Sequence, residues 1–206
     1  MAVTSPYILR DRPTALNANV GDGTVQALAG LTGETYGQGP FKTTALHFSA
    51  VALAITDALA YSGQKVWTFP AGIINVYGAI GSMTFTTTSA IAGTLNSGVL
   101  VSWGIGTVTA SNIVLSTTMQ NLIPGTGIAV VNFTSSTVIN VAPAVSNSFL
   151  QSSTPGLSTI PRFDGTTTAV ALFLNLGVPT ITDIDADATL TVTGEVNFNW
   201  SLLGDY

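Results

Sequence analysis

The sequence contains no cysteine, only five lysines and arginines, and one histidine. Without cysteine there is no disulfide, no thiol nucleophile and no cysteine-based metal site. Compartment stays open, because a thiol-free protein works in reducing and oxidising surroundings alike. A nucleic-acid partner is excluded, since binding phosphates takes lysines and arginines that displace counterions. The net charge of −5 also disfavours an anionic membrane surface. No stretch approaches the roughly 18 apolar residues of a spanning helix; Asp57, Gly63, Lys65 and Pro70 break up the most apolar region. The opening residues, Met1 to Pro13, have no apolar stretch ahead of their charges, so no targeting segment is expected.

Charge of either sign is scarce. Charged residues make up 7% of the chain, against about 25% in an ordinary soluble protein. The 46% of hydrophobic residues is ample for a core. The surface must therefore be built of Ser, Thr, Asn, Gly and apolar atoms. Such a surface repels its neighbours weakly, so part of it is expected to lie against other subunits. The alternative is a monomer kept soluble by its threonines and asparagines.

What the chain does contain is alternation. Ile184, Ala186, Ala188, Leu190, Val192, Val196, Phe198, Trp200 and Leu202 share one parity, and Asp, Thr, Glu, Asn and Ser fill the other. Strand side chains point to opposite faces with period two, so this stretch predicts a strand with one buried and one polar face. It reads either as one long strand bent near Gly194 or as two strands in the same phase. Met83 and Phe85 alternate with Thr84, Thr86 and Thr88; Val99, Val101, Trp103 and Ile105 form a similar run. Ile128 to Phe133 and Val138 to Val141 flank Ser135–Ser136, which suits a hairpin. Residues 142–163 read as a long surface loop, Asp164–Gly165 as a tight turn, and Thr168 to Leu176 as a strand. In Thr44 to Ile55 the apolar phase changes between Phe48 and Val51, which predicts a bulge, one extra residue flipping the faces. A helix over 51–61 is the competing reading. Lys65 to Tyr77 is strand-like, with Pro70 at an edge or bulge and a hairpin expected across Tyr61–Gln64. Short strands and recurrent turns predict an all-β protein, a single antiparallel β-sandwich of jelly-roll-like form over residues 21–206. Residues 1–20 lack periodicity and read as an extended N-terminal arm. Its Tyr7, Ile8 and Leu9, with Arg10 and Arg12, are the candidate interface residues, and a disordered tail is the alternative.

Groups for catalysis are sparse. His47, between Leu46 and Phe48, is expected on the exposed side of a strand, without the nucleophile and orienting group a general base needs. No metalloprotease, nucleophile-elbow or phosphate-loop motif occurs. Asp183, Asp185 and Asp187 would share one face of a strand about 7 Å apart. Such crowding suits a calcium ion, but the run lacks the glycine and glutamate of a calcium-binding loop. A charged strand end that blocks unwanted pairing is the competing reading. Trp67, Trp103, Trp200, Tyr7 and Tyr77 could form a sugar platform, although parity places Trp103 and Trp200 in the core. No enzyme activity and no cofactor are expected.

Several stretches, taken in order, carry a resemblance. They are Lys65-Val66-Trp67-Thr68-Phe69-Pro70-Ala71-Gly72, Gly106-Thr107-Val108-Thr109-Ala110-Ser111-Asn112, Asp164-Gly165-Thr166-Thr167-Thr168-Ala169, Phe173-Leu174-Asn175-Leu176 and Trp200-Ser201-Leu202-Leu203-Gly204-Asp205. From about residue 42 onward the chain resembles small proteins encoded near capsid genes in tailed bacteriophages. The resemblance implies a virion protein at the capsid surface, a decoration or cement protein with a jelly-roll-like sandwich. It implies self-association as a homotrimer and the major capsid protein as partner. A tail or fibre component that binds a receptor or glycan is the second expectation, and a glycan-active enzyme the third.

Overall fold

A strand that alternates in and out must lay its apolar side on another layer, and the computed structural model shows two such layers. It describes residues 22–37, 40–87, 100–129, 138–140, 144–146, 162–178 and 187–203. The strands are β1 (Thr24–Val25), β2 (Leu31–Tyr36), β3 (Phe41–Ile55), β4 (Tyr61–Thr68), β5 (Ile73–Thr87), β6 (Leu100–Gly106), β7 (Ile123–Ala129), β8 (Val138–Asn140), β9 (Ala144–Ser146), β10 (Arg162–Asp164), β11 (Ala171–Gly177) and β12 (Ala188–Leu202). One sheet runs β1-β4-β11-β6-β7 and the other β10-β5-β12-β3-β2. Along the outer edge of β5, β10, β9 and β8 pair in succession. Every pairing is antiparallel, and the two sheets form an all-β sandwich. Among the described residues the only helical element is a 3₁₀ turn at Thr117–Met119. None of their helices is long and apolar enough to cross a membrane.

Successive strands mostly change sheet. β3 leads to β4 across the sandwich, β4 back to β5, β5 across to β6, and β11 across to β12. The expected hairpin at Tyr61–Gln64 therefore does not form: those residues open β4, and β3 lies in the opposite sheet. The reversal comes earlier, at Thr56–Ala60, where the Thr56 carbonyl accepts the N–H groups of Leu59 and Ala60. Over their described residues β7 pairs with β6 and β8 with β5, while residues 130–137, with the Ser135–Ser136 turn of the expected second hairpin, and Val141 lie outside the described residues. Turn-forming residues mark where the chain bends, and they are equally suited to bends that switch layers. The span read as a loop over 142–163 contains β9, and β10 begins at its end. Pro70 stands between β4 and β5, outside both ladders. Residues 51–61 form no helix; they finish β3, turn, and open β4.

The core fills the space between the sheets. Trp67 of β4, Phe198 and Trp200 of β12, and Phe69 of the β4–β5 link pack in a chain of edge-on contacts with ring centroids 5.3 to 6.4 Å apart. This spacing is favourable for aromatic rings. Phe85 and Trp103 extend the cluster at 6.1 Å. All three tryptophans are buried, so none belongs to a sugar platform, Trp67 included.

The phase change in β3 is a bulge. Val51 pairs with Val192 and Phe48 with Gly194, so two residues, Ser49 and Ala50, stand opposite Thr193 alone. β12 keeps one phase over its described length, because β3 absorbs the extra residue. Ala50 takes a left-handed φ of 59° and Gly194 a φ of 151°. A Cβ on Gly194 would collide with the Ser82 carbonyl oxygen on β5, so this position needs glycine.

Candidate interaction face

The three 15-residue strands β3, β12 and β5 lie side by side. Their inward positions are the core, and their outward positions form one broad face. Pairing sets its rows: Thr86–Thr191–Ala52, then Ser82–Glu195–His47–Thr32, then Ile80–Asn197–Ala45–Glu34, then Gly78–Asn199–Thr43–Tyr36. The last row, at one end of the sheet, is Asn75–Ser201–Phe41. The face is mostly hydroxyls, amides and methyl groups. Its charges are Glu34 and Glu195, with His47 beside Glu195, and Arg162 and Asp164 at the β10 edge.

Side chains tie the rows together. Thr43 Oγ1 donates to Asn199 Oδ1 at 2.7 Å. His47 Nδ1 lies 3.3 Å from Glu195 Oε2, Asn197 Nδ2 donates to the other Glu195 oxygen, and the Tyr36 hydroxyl donates to Glu34. His47 is exposed, as its place between Leu46 and Phe48 predicts.

At one end the face turns apolar. Phe41 is 61% exposed, Tyr36 50%, Ile80 41% and Tyr77 40%. The rings of Phe41 and Tyr77 lie 5.9 Å apart, tilted by 41°. Tyr77 is itself an inserted residue: Gly78 pairs with Asn199 and Val76 with Trp200, which leaves it unpaired between them. Its hydroxyl sits 2.8 Å from Ser201 Oγ, a buried group. The bulge and this hydrogen bond present the ring at the surface in one orientation.

Tyr7, Ile8, Leu9, Arg10, Arg12, Asp183 and Asp185 lie outside the described residues. Asp187 is exposed, and its Oδ1 accepts the Asp57 N–H at 3.1 Å, closing the turn after β3. Among the described residues no three acidic, histidine or cysteine side chains group as metal ligands do. Asp164 Oδ1 accepts the Thr166 hydroxyl at 2.6 Å and the Thr166 N–H at 3.0 Å. The hydroxyl first, then the N–H, hold the Asp164 carboxyl below the usual aspartate value, and nearby Arg162 adds to this against a small opposing effect of burial.

The outward cluster of Phe41, Tyr77, Tyr36 and Ile80 was not read from the sequence. Phe41 shares the outward parity of Thr43 and His47, and Tyr77 follows inward Val76, but that the two rings meet depends on β3 and β5 both pairing with β12. No protein-family model, curated protein or solved structure matches the chain. The functional reading therefore rests on the residues and their arrangement.

Proposed function

We propose that this chain is a virion structural protein of a tailed bacteriophage. It decorates the capsid, binds the major capsid protein, associates with itself as a homotrimer, and stabilises contacts between shell subunits. The observation that carries this reading is the outer face of β5, β12, β3 and β2, which is several strands wide, built mostly of hydroxyls, amides and methyl groups, and capped by exposed aromatic residues. Apolar exposure of this kind marks surfaces that meet another protein, and aromatic side chains are enriched where such contacts are tightest.

Strand order adds support by analogy. β3-β12-β5 with its β8–β10 edge faces β4-β11-β6-β7, which is the arrangement expected of a jelly roll, a fold used in capsids and also in lectins. Fold analogy alone does not decide between those uses. A glycan-binding tail or fibre protein would gather its exposed aromatics on a loop cluster; here Phe41 and Tyr77 stand on strands. A glycan-active enzyme would need two carboxylates facing each other across a cleft, whereas Glu34 and Glu195 lie on the same open face.

Stabilisation would follow mass action: a ligand that binds only the assembled shell shifts the equilibrium towards it. Cryo-electron microscopy of purified virions tests the reading. The expected result is density for this sandwich on the outer surface of the head. Absence of the chain from virions, or its location in the tail, would overturn it.

A further inference from the structure

Each sheet turns an outer side away from the core, and the two sides differ in what covers them. Over β11 and β6 lies the chain's own segment 107–120: the Asn175 amide holds Val108, Ala110 and Met119. A Cβ on Gly106 or Gly177 would strike the backbone of Met119 or Ile113 in that segment. On the other sheet Phe41, Thr43, Tyr77, Ile80 and Asn199 point outward and stay exposed.

The size of this second face suits a protein partner. Four strands, β5, β12, β3 and β2, are about 19 Å wide, and Thr191 to Ser201 is about 36 Å long, which makes roughly 700 Å² in projection. Side-chain relief adds to that figure, and a stable interface takes about 800 Å² from each partner.

The register points to a second copy of the same chain. Two like faces meet about a two-fold axis that lies between them. An axis running along β12 exchanges the strands on its two sides, so β5 of one copy faces β3 of the other. Phe41, which pairs with Ser201, then faces Tyr77 of the second copy, whose hydroxyl reaches Ser201 from the β5 side. Thr43 faces Gly78, and the small, buried Ala45 faces the protruding Ile80. Every contact occurs twice, and large side chains meet small ones or other rings. Sheets packed face to face cross at about 30°. Within two residues of Asn199 this displaces a row by roughly 4 Å, less than one strand spacing.

Charge agrees with this arrangement. Between β5 and β3 the rows of Asn197, Asn199 and Ser201 hold no charged residue. Glu195, with His47 beside it, lies about 13 Å along β12 from Asn199, at the margin of the contact. Arg162 and Glu34 stand on opposite sides of β12, so the exchange brings Arg162 of one copy to the side of Glu34 of the other.

We propose that two copies of this chain pair through this face, about a two-fold axis along β12 near Asn199, with Phe41 and Tyr77 making reciprocal ring contacts. The pair is a contact distinct from the three-fold association proposed above. It occupies the face while the chain is free, and a shell would compete for it.

Sedimentation velocity of the full chain is expected to show a dimer whose population rises with concentration. Phe41→Glu and Tyr77→Lys each strike both copies of the ring contact and are expected to weaken it at least about tenfold. Mixing the two variants is the decisive step. A mixed pair keeps one Phe41–Tyr77 contact intact and sets the new glutamate against the new lysine in the other. It is therefore expected to associate at least about tenfold more tightly than either variant alone. Near-ultraviolet circular dichroism checks that both variants fold. Thr43→Arg, at an exposed position in the middle of the contact, is expected to weaken the dimer to the same degree without touching either ring. A wild-type chain that stays monomeric, a dimer or trimer that ignores all three substitutions, or a mixture no tighter than its components overturns the proposal. A dimer that behaves as expected in a chain absent from virions would sink the capsid reading and leave this one standing.

Discussion

The indole N–H of Trp200 donates to Thr44 Oγ1 at 2.9 Å, joining two buried residues 156 positions apart. Thr44 Oγ1 also lies 3.0 Å from Thr35 Oγ1, so one hydroxyl links β12, β3 and β2. Thr44→Val keeps the shape and removes the acceptor. It leaves a buried indole donor without its partner and is expected to cost about 1–3 kcal/mol. Urea unfolding monitored by tryptophan fluorescence measures this; a change under about 0.5 kcal/mol would mean the bond contributes little.

A second buried polar residue holds a loop in place. Asn175 Oδ1 accepts the Ala110 N–H at 2.7 Å, and Nδ2 donates to the carbonyls of Val108 and Met119 at 2.9 and 2.7 Å. All three of its side-chain hydrogen bonds reach the segment between β6 and β7. Asn175→Ala is expected to destabilise the protein by about 2–4 kcal/mol, since two buried backbone groups and one partly buried one lose a partner. Hydrogen exchange should rise over residues 107–120 more than in β12. Uniform acceleration across both would show that Asn175 supports the whole fold and not this loop in particular.

The bulge yields a pair of opposite effects. Gly194→Ala places a methyl group against the Ser82 carbonyl and is expected to cost more than about 2 kcal/mol. Ala50→Gly relieves a left-handed alanine and is expected to add about 0.5–1 kcal/mol, after allowing for the entropy glycine loses on folding. Denaturant midpoints that move in the same direction for both variants would contradict the bulge geometry.

Asp164 supplies a pH-dependent test. Its folded-state pKa is depressed, so its contribution to stability is present above the unfolded value and is lost as pH falls through the folded one. The window therefore opens below about pH 3.9, the ordinary aspartate value. Thr166→Val removes the hydroxyl and should raise the Asp164 pKa towards that value. Carboxyl-carbon NMR titration of both proteins reads the change directly, and an unchanged titration would mean the hydroxyl does not set it.

Much of the fold is legible in local pattern. The single parity of Ala188 to Leu202 predicts which side chains of β12 are buried, and the phase change at Ser49–Ala50 predicts the bulge. Both follow from the two-residue period of a strand, which the chain carries wherever it goes. The candidate face was less legible. Phe41 and Tyr77 come together only because β3 and β5 flank β12.

What the sequence determined by itself, then, was the class of structure and the buried side of each strand. Tertiary structure decided which strands are neighbours. The residues Tyr61–Gln64 suit a hairpin turn, yet they open β4, and the chain reverses and changes layer earlier, at Thr56–Ala60. Asn175 looked like an ordinary polar residue in a strand until the segment after β6 closed over it. The physical reason is that parity is a property of adjacent residues, whereas pairing depends on closing long loops around a shared core. Thr44 and Trp200 meet across most of the chain, and no local pattern in either strand specifies that meeting.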